Sequence, residues 1–271
     1  MDGSNPVSRL FEEIDRRDTP IGEISVRRRL EPTLQIDVYE VKLGEEHLMS
    51  SIFTVAEEEL ARLGLAAIDP AGAPDGLDVV VGGLGLGYTA RAALEDERVR
   101  SLHVVEKLAA VIDWHHEGIF PDVDLLTGDA RTRLVEADFF ACVADGSPFA
   151  AGEPERFHAV LLDVDHTPRH VLHPSHAAFY EPAGLARMAD RIRPGGVFAL
   201  WSDDPPDDGF LAAAQQVFAT VDAHEVWFPN FHTGGDAMNT VYVATVGTGS
   251  GAVAPDPSTA GAAASRPSRT M

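Results

Sequence analysis

At 271 residues, 45% of them hydrophobic, the chain is long enough for one sizeable α/β domain with a small appendage. Its formal charge of −22 argues against nucleic-acid and anionic-membrane partners, and leaves either a solvated acidic surface or a field favouring cationic substrates such as sulfonium compounds and amines. The single cysteine, Cys142, excludes an internal disulfide and a thiolate zinc cluster, and its neighbours Phe139, Phe140 and Val143 mark it as a small buried hydrophobe.

Taken in order, residues 1–18 carry charges where a secretory signal needs an apolar core, so a cytoplasmic protein is expected, with a short amphipathic helix around Arg9–Arg16. Within 19–50, Ile21–Arg29 and Leu34–Leu43 alternate apolar and polar residues about a turn at Pro32, the pattern of a small β-hairpin domain. Ile52–Leu65 has helical spacing, with Thr54 and Glu57 in the relation of a capping box. Pro70–Gly76 is a linker into the main sheet of a domain expected over 51–246.

That domain is organised around Asp78–Arg91, DVVVGGLGLGYTAR, a buried strand that breaks into Gly82, Gly83, Gly85 and Gly87 before turning helical. Such a turn lets a ligand approach the backbone, as in nucleotide sites. A second strand, Leu102–Glu106, ends in an acid nineteen positions after Gly87, where a nucleoside-binding fold places a carboxylate for the ribose hydroxyls, so Glu106 is the expected ribose ligand. A third, Thr132–Ala137, leads to Asp138 and Phe139, and a fourth, His158–Leu162, leads to Asp163. In an open parallel sheet the carboxyl ends of strands face the ligand crevice, so Glu106, Asp138 and Asp163 should converge.

Helices are expected at Thr89–Asp96, Leu108–Glu117, Ala177–Ile192 and Gly209–Thr220, and further strands at Val197–Trp201, Glu225–Phe228 and Thr240–Thr245. The fold class is therefore α/β: a doubly wound, mostly parallel seven-stranded sheet with a small N-terminal β-hairpin domain. Residues 247–271, rich in Gly, Ala, Ser and Pro, are expected to be a disordered tail.

Four histidines, His166, His170, His173 and His176, invite a metal reading, but Pro168 and Pro174 interrupt any helix that would align them, and no metal is expected. His166, beside Asp163 and Asp165, is better suited to act as a base or to orient a substrate. Trp201 and Asp203 end the fifth strand and enter the acidic loop DDPPDD, either as a rim attracting an amine or as a proline-stiffened polar loop.

The N-terminal hairpin, GGLGLG, LHVVE, the Asp129–Arg131 step into VEAD, LLDVDHTP, AAFY and RPGGVF together resemble the spermidine synthase family of polyamine aminopropyltransferases over roughly residues 19–245. The resemblance implies a class I methyltransferase fold, a small amine substrate, a homodimer, and decarboxylated S-adenosylmethionine as co-substrate without any bound prosthetic group. It assigns the nucleoside to Gly82, Gly83, Gly85 and Gly87, the ribose to Glu106, the adenine amino group to Asp138 with Phe139 beside it, and deprotonation of the attacking amine to Asp163, with Asp165 and His166 following. Tyr180 matches a Phe-Tyr position of the family and is placed with the substrate.

Three departures fall on the amine side. Gly85 stands where the family's turn has an acid, His166 stands for the second acid after Asp163, and Ala56–Glu59 replaces a Tyr-His pair. GGLGLG is closer to ordinary methyltransferases, which use intact S-adenosylmethionine, so methyl transfer is the alternative, and a non-catalytic adenosyl-binding protein a further one.

Overall fold

The structure, a computed structural model, describes residues 10–248. It opens with a four-stranded antiparallel sheet, β1 (Phe11–Thr19), β2 (Gly22–Glu31), β3 (Ile36–Leu43) and β4 (Glu46–Ser50). Ile24 and Val26 of β2 and Val41 of β3 are fully buried against the main core, so alternation along the expected hairpin selects its inner face, while Val38 is buried on the opposite face beside Arg29.

Two strands were not anticipated. The helix expected around Arg9–Arg16 is β1 instead, because its charges find cross-strand partners that a helix would not supply: Arg28 bonds Glu12 at 2.8 Å and Arg16 bonds Glu23 at 2.6 Å. The small sheet therefore begins inside the stretch expected to precede it. β4 extends it on the other side and carries the chain to the main domain.

Helix α1 (Val55–Ala66) follows, but the capping box does not form. Thr54 makes no side-chain bond to the helix N-terminus, and its hydroxyl donates to the Glu58 carboxylate at 3.2 Å. Leu60, Ala61, Gly64 and Leu65 face the sheet; a Cβ on Gly64 would lie 2.8 Å from the Leu161 side chain, so the glycine permits the close approach.

The main sheet has the order β10-β11-β9-β8-β5-β6-β7, with β5 (Leu77–Gly82), β6 (Val99–Glu106), β7 (Thr132–Glu136), β8 (Phe157–Leu162) and β9 (Ile192–Ser202) parallel. β10 (Thr220–Asn230) and β11 (Gly235–Thr245) form an antiparallel hairpin on the edge. This is the expected seven-stranded, doubly wound sheet. Val79 and Val81 pack into the core on the face of α1, while Val80 packs into the core on the other face, as expected of a strand covered on both sides.

The crossovers are α2 (Tyr88–Leu94), α3 (Ala109–His116) with the short α4 (Asp124–Thr127), α5 (Phe139–Asp145), α6 (Pro182–Ala189) and α7 (Asp208–Ala214). The long helix expected over Ala177–Ile192 is instead a 3-10 turn, Pro174–Phe179, then α6. Pro182 sits in the first turn of α6, where its missing N–H costs nothing, and marks a start where continuity was expected. At the other end Pro194, Gly195 and Gly196 lie within β9 rather than between helix and strand. α5 is a helix beyond those expected: Asp138, which follows a strand, is also the helix cap, accepting the Ala141 N–H at 3.0 Å. The tail expected beyond Val246 lies, from residue 249 on, outside the described residues.

Candidate functional site

The strand order reverses between β5 and β8, and there the chain makes its tightest approach. The Asp163 N–H donates to the Gly82 carbonyl at 2.8 Å, and a Cβ built on Gly83, whose φ is +95°, would lie 2.0 Å from the Asp163 carbonyl oxygen. Only glycine fits at Gly83, because the second strand's backbone occupies the space. Gly87, with φ +87°, opens α2.

A cavity of about 330 Å³ sits at this switch point, between the carboxyl ends of the parallel strands and the small sheet. Gly83, Gly85 and Gly87 form its floor, Glu106, Lys107 and Leu108 one side, Asp138, Phe139 and Phe140 the next, and Asp163, Val164, His166 and Trp201 the far side. β4 supplies Glu46, Leu48, Met49 and Ser50, and α1 supplies Glu57.

Of the residues expected at the site, Gly83, Gly85, Gly87, Glu106, Asp138, Phe139, Asp163, His166 and Trp201 come together on this wall. Gly82, Asp165, Tyr180 and Asp203 do not line it. A Cβ on Gly82 would strike Leu162 and Phe139, so that glycine serves strand packing. Asp165 is 1% exposed, and its carboxylate accepts the Leu172 N–H at 2.7 Å and the Tyr180 hydroxyl at 2.9 Å and lies 2.9 Å from His176 Nδ1. Asp165 and Tyr180 thus hold the loop after β8 from behind, and burial raises the Tyr180 phenol well above its usual range. Asp203 is exposed and accepts from Asn239 Nδ2 at 2.7 Å.

Each acid on the wall has a different environment. Glu106 accepts the Leu84 N–H at 3.1 Å and the Leu108 N–H at 2.8 Å, so it shapes the glycine turn; burial pushes its carboxyl up and the backbone donors oppose this. Asp138 is raised by burial but, on balance, held below the usual range by Lys107, whose Nζ lies 2.8 Å away, and by the Ala141 N–H. Asp163 accepts from the Thr89 hydroxyl at 2.8 Å, and burial raises it to about 6. Glu57 is raised to about 8, first by burial and then by the neighbouring Asp163.

Glu57 is the main residue that the sequence reading missed. Its three-residue spacing from Thr54 offered a capping role, yet helical spacing also puts it on the stripe of Leu60, Ala61 and Gly64 that faces the core. That stripe was the available signal. His166 meets the small sheet across the cavity, its Nε2 lying 3.7 Å from Glu46.

Trp114, fully buried, donates its indole N–H to Asp15 at 2.7 Å and does not reach the cavity. His115 lies behind the glycine turn, its Nε2 3.0 Å from the Gly85 carbonyl, and burial lowers it to about 4, so the ring is neutral there. Among the described residues no group of three or more His, Cys, Asp or Glu is arranged to hold a metal ion.

No protein-family model and no curated sequence matches the chain. The fold is nevertheless that of solved class I S-adenosylmethionine-fold transferases. Spermidine synthase from Thermotoga maritima superposes with a TM-score of 0.63 at 19% identity, over 88% of this chain and 74% of that one. A spermidine synthase in complex with the transition-state analogue AdoDATO gives 0.65 at 18% identity over the same shares. Human methyltransferase-like protein 13 in complex with SAH gives 0.52 at 19% identity, over 70% of this chain and 82% of that one. The spermidine synthase likeness extends over more of the chain than the methyltransferase likeness, 88% against 70%.

Proposed function

We propose that the protein is an aminopropyltransferase that binds decarboxylated S-adenosylmethionine at the glycine turn and transfers its aminopropyl group to a small amine. The observation that carries this reading is Asp163: a half-buried carboxylate at the switch point, on the cavity wall, bonded to the Thr89 hydroxyl and raised to about 6. An alkylamine with a pKa near that of lysine, about 10, cannot attack until it loses a proton, and a carboxylate in a dry site can first hold the ammonium and then receive that proton. The free amine nitrogen then attacks the carbon beside the sulfonium. The new C–N bond forms as the C–S bond breaks, the electron pair goes to sulfur, and methylthioadenosine leaves.

The nucleoside would lie over Gly83, Gly85 and Gly87, with Glu106 at the ribose and Asp138 and Phe139 at the adenine. Glu46, His166 and Trp201 border the space left for the acceptor. Methyl transfer from intact S-adenosylmethionine is the second reading, favoured by the acid-free turn at Gly85.

Asp163→Asn tests the assignment. The variant is expected to bind methylthioadenosine as the wild type does while losing about 10²–10⁴-fold in amine aminopropylation, the usual contribution of a positioned general base. Full turnover in this variant would remove Asp163 from the chemistry, and the absence of turnover in both proteins with binding intact would favour a non-catalytic binder.

A further inference from the structure

We infer that His115 is a positioning residue for the donor site: by donating its Nε2–H to the Gly85 carbonyl from behind, it sets the shape of the glycine turn before a ligand arrives. The inference rests on the proposed adenosyl site at that turn and gives it a support that lies outside the cavity wall.

The turn needs such a support. Gly83, Gly85 and Gly87 all have positive φ, +95°, +49° and +87°. Glycine loses more freedom on ordering than any other residue, and these three have no side chains with which to hold one another. Bonds from outside therefore fix the turn. Glu106, on the cavity wall, accepts the Leu84 N–H at 3.1 Å. His115, which does not line the cavity, holds the Gly85 carbonyl at 3.0 Å. A trans peptide unit points its C=O and N–H in opposite directions, so drawing the Gly85 carbonyl back turns the Leu86 N–H away from His115. Leu86 lines the cavity, and its N–H has no partner among the described residues.

The imidazole is there for this bond rather than for its bulk. A neutral ring has one donor and one acceptor, and a carbonyl oxygen can only accept, so Nε2 carries the proton and Nδ1 is bare. His115 is 1% exposed, and Nδ1 is buried without a partner among the described residues. A buried acceptor left unpaired is costly, and a Phe or Leu side chain would fill the space without that cost. What the ring adds is the donated bond.

The ring is also held in place. A Cβ on Gly87 would lie 3.1 Å from His115 Cε1, and Phe120 packs at 5.1 Å between ring centroids. The helix that carries it, α3, is tied to β1 on either side of His115, through Asp15 to Trp114 and through Arg17 to Asp113 and Glu117. The donor therefore meets the turn from a fixed position.

The test is a calorimetric titration with methylthioadenosine of the wild type and three variants. His115→Phe fills the space without a donor, His115→Gln puts an amide N–H in place of Nε2–H, and His116→Gln alters the exposed neighbour. His115→Phe is expected to bind about tenfold more weakly than the wild type, His115→Gln within about threefold of it, and His116→Gln within about twofold. In aminopropyl transfer His115→Phe should raise the donor KM by about tenfold and leave kcat within about twofold, a split that general loss of structure does not give. Nitrogen NMR of the wild-type ring at neutral pH needs no variant and should show a protonated Nε2 and a bare Nδ1.

Equal affinity of His115→Phe and the wild type overturns the inference and leaves the adenosyl site standing, as does a loss in His115→Gln equal to that in His115→Phe. A proton on Nδ1 in the wild type also overturns it. No binding of any nucleoside by the wild type would overturn the adenosyl site and the support together.

Discussion

The acids that end β6 and β8 occupy the same cavity but are held by different partners. Glu106 is bound by backbone N–H groups, whereas Asp163 has Thr89 on one oxygen and Glu57 nearby, so the excess charge collects on the α1 side. This sets a pH dependence. Burial raises Asp163 to about 6 and Glu57 to about 8, so both lose their protons later than ordinary carboxyls as pH rises. Turnover that uses Asp163 as the base should therefore rise with pH through its raised pKa, and Asp163→Asn should flatten that rise. Rates at four pH values check it; a wild-type profile identical to that of Asp163→Asn would mean that this carboxylate is not the base. The strand-end acids were legible because strand ends in a parallel sheet have a defined place. Glu57 was hidden by a local motif with an equally good claim to it, and Asp165 was misplaced because adjacent positions after a strand point in different directions once the loop turns.

At the scale of elements, β1 ties the small sheet to the main domain. Trp114 of α3 donates to Asp15, while Arg17 bonds Asp113 at 2.7 Å and Glu117 at 2.8 Å. The Trp114 N–H first, and Arg17 after it, hold the Asp15 carboxyl below its usual range against the opposing effect of burial. Trp114→Phe keeps an aromatic ring but removes the donor. Thermal unfolding should show a loss of about 2 kcal/mol, or roughly 4–8 °C in Tm, while an unchanged Tm would show that this strap carries no stability. No local pattern announced β1, since its charged residues suit a helix surface equally well and only the partner strand decides between them. The parallel strands had no such competitor: their short apolar runs cannot be solvated and must be covered on both faces.

Across the whole molecule, a charge of −22 is spread over the surface, but the same sign also lines the cavity, where Glu46, Glu57, Glu106, Asp138 and Asp163 face Lys107 as the one lysine. Such a field favours cationic ligands. No helix of the described residues is long and apolar enough to cross a membrane. The doubly wound order and the place of the cavity followed from the sequence, because alternating strands and helices leave few topologies. The reaction did not follow in the same way, because an aminopropyl donor and a methyl donor share the nucleoside and differ at the tail. The central claim is therefore tested by offering the protein both donors at equal concentration with a panel of small diamines and polyamines, and identifying the nucleoside by-product by mass spectrometry. Methylthioadenosine together with an aminopropylated amine is the predicted result; S-adenosylhomocysteine with a methylated product would contradict it.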